Sequence, residues 1–397
     1  MIFKKSLCII CTAAMLFTGA AASAGEEFTV AQVSIEPSEI PDNEALEFTQ
    51  KLKIGWNLGN TFDAVDCDWL SDKLNYETAW VGDRTTPELF VTLKNAGFAS
   101  VRIPVSWHNH VDENYLIDAD WLARVSEVVG YALDAGLYVI LNTHHDIYEE
   151  YIYPDEEHLE NSTKYLTSIW SQVAAEFQDV GEELILESMN EPRLKDTDIE
   201  WWLNPKDSRS AEAVRCINQL NQAFVDTVRA SGGENAARYL LVPGYDASLD
   251  GAMHKEFMLP QDTADNRIIV SVHAYTPYSF ALQSPDESGS TSAFSVDRQR
   301  DRSQIDTLMH SLYYRFIEEG IPVVIGEYGA RDKGGNLQAR ADFTAYYVAA
   351  ASARGIPCFV WDNNVFTGTG ECFGLLERST NTFAYPEIIE SMMAYVN

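Results

Sequence analysis

The sequence predicts an α/β protein, a single-domain (β/α)8 TIM barrel. Eight short apolar runs alternate with longer amphipathic stretches, and polar or titratable residues recur where the apolar runs end. Glycine stands at four of the helix-to-strand handovers, which sharpens the reading.

The strand-like runs are 51–58, 100–104, 137–143, 184–190, 239–242, 268–273, 322–327 and 356–361. They are short and nearly continuous in apolar residues, as strands covered on both faces must be. The helical stretches between them are 87–96, 119–135, 159–177, 211–230, 302–319 and 337–354. Gly97, Gly136, Gly320 and Gly355 follow four of these stretches in the position of a helix C-cap. The segment after Val242 gives the weakest helix signal.

The chain has 397 residues, 46% hydrophobic and 12% aromatic, enough for one large core. A formal net charge of −32 argues against nucleic acid or an anionic membrane as partner, since both need clustered Lys and Arg. Residues 1–24 read as a signal peptide: Lys4 and Lys5 precede an apolar run too short to span a bilayer, and Ala22-Ser23-Ala24 offers a cleavage site. Export to the extracellular space is therefore expected. Residues 25–45 read as a flexible acidic lead, and residues 46–397 as the (β/α)8 domain. Cys67, Cys216, Cys358 and Cys372 contain no CxxC pair, so no zinc or redox motif is expected; their disulfide state is open.

The run Leu184-Ile185-Leu186-Glu187-Ser188-Met189-Asn190-Glu191-Pro192 places Glu191 just beyond an apolar strand, because Pro192 ends the ladder. Burial at such a tip raises a carboxyl pKa, as a general acid requires; the plainer reading is a helix cap. The other strand ends carry Asn57, Arg102, His144 and His145, His273 with Tyr275, Glu327, and Trp361. Two carboxylates on one face of a barrel are what glycoside hydrolysis needs, one to protonate the leaving oxygen and one to attack or to activate water.

With those residues in place, the chain resembles glycoside hydrolase family 5 of the Glu/Glu barrel clan, in particular its bacterial endo-β-1,4-glucanase (cellulase) branch. The resemblance rests on Gly55-Trp56-Asn57-Leu58-Gly59-Asn60, Val101-Arg102-Ile103-Pro104, Asn142-Thr143-His144-His145, Asn190-Glu191-Pro192, His273-Ala274-Tyr275, Gly326-Glu327-Tyr328-Gly329 and Trp361-Asp362-Asn363. It implies Glu191 as acid/base and Glu327 as nucleophile, with the anomeric configuration retained and carboxyl groups ~5–5.5 Å apart. It further implies that Arg102 and Tyr275 bond to Glu327, that Asn190 meets the sugar 2-hydroxyl, and that His144 and His273 line the site. Trp361 would form the stacking floor, with Asn57, His108 and His145 supporting.

The implied substrate is a β-glucan cut internally by a secreted monomer without a cofactor. A xyloglucanase, mixed-linkage glucanase, xylanase or mannanase shares the same machinery, and an inactive carbohydrate-binding barrel is the reading from another class. A metal at His144-His145-Asp146 is disfavoured because adjacent strand residues face opposite ways. Trp69, Trp80, Trp107, Trp201, Trp202 and Tyr278 are candidates for outer sugar platforms.

Overall fold

The computed structural model describes residues 28–368 and 370–396. Eight parallel strands close into a barrel in chain order: β1 (Ile54–Asn57), β2 (Ser100–Ile103), β3 (Tyr138–Asn142), β4 (Leu184–Glu187), β5 (Leu240–Pro243), β6 (Ile268–His273), β7 (Val323–Tyr328) and β8 (Cys358–Val360). Strand β8 pairs back onto β1. Helices Pro87–Ala96, Ala119–Asp134, Leu159–Glu176, Ser208–Ala230, Gln299–Arg315 and Leu337–Ser352 form the outer ring where helical stretches were expected. Gly97, Gly136, Gly320 and Gly355 all take positive φ, the left-handed turn that ends a helix without a Cβ clash. After β5 only a single turn, Leu249–Ala252, is helical.

The barrel interior is layered, because every second strand residue faces inward. Ile140, Ile185, Leu241, Ile269, Val324 and Phe359 form one apolar layer, and the Phe359 ring occupies the space a Cβ on Gly55 would need. Two residues beyond Gly55, Ser100, Ile140, Ile185 and Ile269 come Asn57, Arg102, Asn142, Glu187 and Ser271, a polar layer on top of the apolar one. This layer is the floor of the cleft at the carboxyl ends.

The amino-terminal segment departs from expectation. Helix Glu44–Gln50, capped by the Asn43 side chain, plugs the opposite end of the barrel with Ala45 and Phe48. Phe48 stacks on Tyr239 with centroids 3.6 Å apart. Residues 28–43 are not a loose lead. Tyr395 Oη donates to Ala31 O (2.6 Å) and accepts from Val33 N (2.8 Å), and Ser38 N donates to Ala353 O (2.7 Å). Sparse apolar residues, Val33, Ile35 and Ile40, pack on the core without any periodicity to reveal them. The expected signal peptide lies outside the described residues. Among the described residues no helix is long and apolar enough to cross a membrane, and the four cysteines named above are buried and free.

Candidate active site

Arg102 anchors the polar layer. It is fully buried and spreads its donors over four acceptors: Nε to Glu187 Oε2 (2.7 Å), one terminal nitrogen to Glu327 Oε1 (2.8 Å) and Asn57 Oδ1 (3.1 Å), the other to Asn190 Oδ1 (2.7 Å). Burial opposes a charged guanidinium, but Glu187 and Glu327 outweigh it and leave the Arg102 pKa raised. Ser271 Oγ donates to the second oxygen of Glu187 (2.5 Å). Asn57 turns its amide to Gly326 O (2.9 Å), beside a break in the β7 pairing register. That irregularity sets Glu327 opposite His273.

Tyr275 Oη donates to Glu327 Oε2 at 2.8 Å. Burial and the neighbouring carboxylates push its phenol well above the usual range, so it remains a donor. Four residues beyond β4, Glu191 Oε1 meets His273 Nδ1 at 2.8 Å. Just beyond β4 the Ser188 carbonyl accepts from Thr143 Oγ1 (2.9 Å) and Trp170 Nε1 (3.0 Å). A carboxylate oxygen of Glu191, a ring nitrogen of His273 and a carboxylate oxygen of Glu327 all lie within 4.8 Å of one another.

Glu191 differs from the sequence expectation in its proton affinity. Burial alone raises its carboxyl, but the His273 hydrogen bond and the charges of His273 and Arg193 pull it below the ordinary value. Burial lowers His273, yet Glu327 and Glu191 raise it overall. The two are a proton-sharing pair, and the opposite directions of their shifts favour the proton on the imidazole.

His144 Nδ1 accepts from the Asn142 amide (3.2 Å), and burial keeps its pKa well below the ordinary value. Its remaining nitrogen, Nε2, then carries the hydrogen. The ring lies parallel to Trp361, centroids 5.9 Å apart, and both line the cleft. His145 lines it too. His108 does not line it: it is buried with Nδ1 on Asp146 Oδ1 (2.7 Å), because Asp146 folds back to hold the loop after β2. Asn57 supports from within the floor, bonded to Arg102 and to Gly326 O.

Asp63, rather than Asp146, joins His144 and His145, with one ligand atom from each within 4.8 Å. Its oxygens already accept from Asn60 N (2.9 Å) and Thr61 N (2.6 Å), and burial raises its carboxyl to about 7. A backbone-bonded carboxyl group whose charged form burial disfavours is a poor metal ligand.

The cleft has a volume of about 1000 Å³ and is walled by Trp80, Trp201, Trp202 and Tyr278, all exposed. Trp107 instead is core, its Nε1 on Asn142 O (3.0 Å), and Trp69 stands exposed away from the cleft lining. The loop bearing Trp80 is pinned from below by Glu77, bound to Arg124 (2.7 Å) and Thr85 N (2.8 Å). Sequence reasoning passed over Glu187, Ser271, Arg193 and Asp246. The first two were readable, since a carboxylate and a hydroxyl two residues after Ile185 and Ile269 share their inward face.

The family model described as cellulase (glycosyl hydrolase family 5) matches residues 66–367. The chain belongs to glycosyl hydrolase family 5. As a member it is a glycoside hydrolase. It is 38% identical to endoglucanase B of Neocallimastix patriciarum over 92% of its own length and 75% of that protein's. It is 38% identical to endoglucanase A of Ruminococcus albus, covering 89% and 93% of the two chains. Among solved structures, a family 5 lichenase from Caldicellulosiruptor sp. F32 superposes with a TM-score of 0.92 at 53% identity, covering 94% of this chain and 100% of that one. A broad specificity endoglucanase from Ruminococcus champanellensis with bound cellotriose gives 0.81 at 41% identity, covering 90% and 100%.

Proposed function

We propose that this family 5 hydrolase is a secreted, retaining endo-β-1,4-glucanase that works as a monomer. The observation that carries the reading is the close approach of Glu191 and Glu327, one carboxylate oxygen of each lying within 4.8 Å of the other. So close an approach supports direct attack by Glu327 over the wider separation of an inverting pair.

Glu327 attacks the anomeric carbon while Glu191 delivers a proton to the departing glycosidic oxygen. The C–O bond breaks and a glycosyl ester forms on Glu327. Glu191, now a base, takes a proton from water, whose oxygen attacks the same carbon and frees Glu327. The proton for the first step comes across the 2.8 Å contact with His273. Substrate burial favours that transfer, because it neutralises two charges in a drying site. Esterification of Glu327 then removes a negative neighbour, which makes Glu191 a weaker acid-holder and suits it to the base step.

Asn190 accepts from Arg102 through Oδ1, which leaves its amide to donate to the sugar 2-hydroxyl. His144 offers its Nε2 hydrogen to another hydroxyl of the ring lying on Trp361. The exposed aromatic walls of the cleft support binding along a chain and internal cleavage.

A second reading, cleavage of mixed-linkage β-glucan, is favoured by the high identity to the lichenase. Release of reducing ends from carboxymethyl-cellulose, lichenan, xyloglucan, xylan and mannan, measured side by side, separates the two. Following the first product anomer by NMR tests retention: the β anomer is expected, and initial α product would overturn the mechanism.

A further inference from the structure

Asp246 lies at the tip of β5, in a cleft wall the two-step reaction leaves unused. Its backbone N–H donates to the carbonyl of Pro192, the residue directly after Glu191, at 2.8 Å. Next to it, Tyr245 Oη donates to Ile199 O (2.8 Å) and accepts from Leu194 N (3.1 Å). A Cβ on Gly251 would lie 2.2 Å from the Tyr245 carbonyl, so the turns after β5 close tightly on each other. The β5 tip and the loop carrying Glu191 are thereby one rigid unit.

Asp246 takes φ 55°, ψ 21°, a left-handed conformation that Asp and Asn tolerate better than most residues. It lines the cleft with Glu191, Arg193 and Ser248. Its Oδ1 is buried without a protein hydrogen-bonding partner. Burial, with Glu191 as the foremost like charge, drives its carboxyl well above the carboxylate range, and Glu327 acts more weakly. Unpartnered and facing the cleft, this carboxyl group is placed to hydrogen-bond a ligand hydroxyl.

Chemistry sets which side of the cleft this is. The acid must face the departing oxygen, whereas Glu327 and Trp361 serve the sugar that stays. Asp246 is tied to the acid's segment, so it faces the unit that leaves. We propose that Asp246 is a substrate-binding residue for the departing sugar, whose carboxyl group hydrogen-bonds one of that unit's hydroxyls. This rests on the assignment of Glu191 as the acid.

Two substrates with different leaving groups test it: cellopentaose, which departs as a sugar, and dinitrophenyl β-cellobioside, which departs as an aryl alcohol. Asp246→Gly and Asp246→Asn both suit positive φ, so neither strains the turn. Asp246→Gly should lower kcat/KM on cellopentaose about tenfold, the size of one lost hydrogen bond, and leave the aryl substrate within twofold. Asp246→Asn, whose amide still donates, should keep most of the cellopentaose rate. Equal losses on both substrates, no loss on either, or an Asn variant as poor as the Gly variant would each overturn the proposal. Glu191→Ala, run in parallel, should spare kcat/KM on the aryl substrate and abolish it on cellopentaose. If it loses both alike, the acid assignment fails, and that failure is distinct from any result at Asp246.

Discussion

His110 gives this enzyme a built-in sensitivity to acid. The ring is 2% exposed, stacked on Trp121 with centroids 3.6 Å apart and planes 5° from parallel, and edge-on to Tyr76 at 4.9 Å. Neither ring nitrogen finds a hydrogen-bonding partner in the protein. Burial, helped by Lys73 and His108, depresses its pKa from 6.5 to about 3. The sign follows from linkage. Above pH 6.5 the ring is neutral in both states and contributes no pH dependence. As pH falls below 6.5 the unfolded chain takes up a proton that the folded protein refuses down to about 3, so stability is lost across that window. At about 1.4 kcal/mol per pH unit, the loss is about 3 kcal/mol by pH 4.5.

Asp63, whose folded pKa of about 7 lies above its ordinary value, pulls the other way in the same range. The measurement is therefore a difference. His110→Phe keeps a flat ring against Trp121 and cannot titrate. Urea unfolding of both proteins at pH 7, 6, 5 and 4.5 should show the variant gaining on the wild type by about 3 kcal/mol between the ends of the series. Parallel stability curves would refute the reasoning, and would mean that His110 finds a partner or takes up its proton in the folded state.

Four further outcomes are expected. Glu327→Gln should abolish glucan cleavage with the fold intact by circular dichroism; turnover near the wild-type rate would remove the nucleophile assignment. Glu187→Ala strands the buried Arg102 Nε and should cost about 3–5 kcal/mol in denaturant unfolding, the usual penalty for orphaning a buried charge. Gly326→Ala places a Cβ 2.9 Å from His273 Nε2 and 3.4 Å from Ser271 Oγ. Displacing the imidazole from Glu191 should cut kcat on the order of a hundredfold with a smaller change in KM, which steady-state kinetics would read. Activity should survive dialysis against EDTA unchanged, since the acid/base and nucleophile steps run on this chain's own side chains; a loss restored by a divalent ion would contradict that.

Much of the architecture was written locally. The alternation of apolar runs and amphipathic stretches, and the glycines at 97, 136, 320 and 355, are short-range facts that depend on the chain's immediate neighbours. The strand-end residues Arg102, Asn190, Glu191, His273, Tyr275 and Glu327 were legible for the same reason: strand period and proline placement decide which residues reach one face. The amino-terminal plug was not legible, since its few apolar residues gain meaning only against Tyr239 and the barrel floor. His108 looked like a site residue until Asp146, far along the chain, drew it under the β2 loop.

By itself, then, the sequence determined the barrel, its strand order and the carboxylate pair at one end of it. The tertiary structure alone decided where the protons sit. Glu191 at a strand tip reads as an acid of raised pKa, yet His273 and Arg193 lower it and favour the proton on the imidazole. At Asp246 burial and the negative charge of Glu191 do the opposite. Proton affinity depends on charges a few ångströms away and on the water excluded between them, and both come from residues distant in the chain.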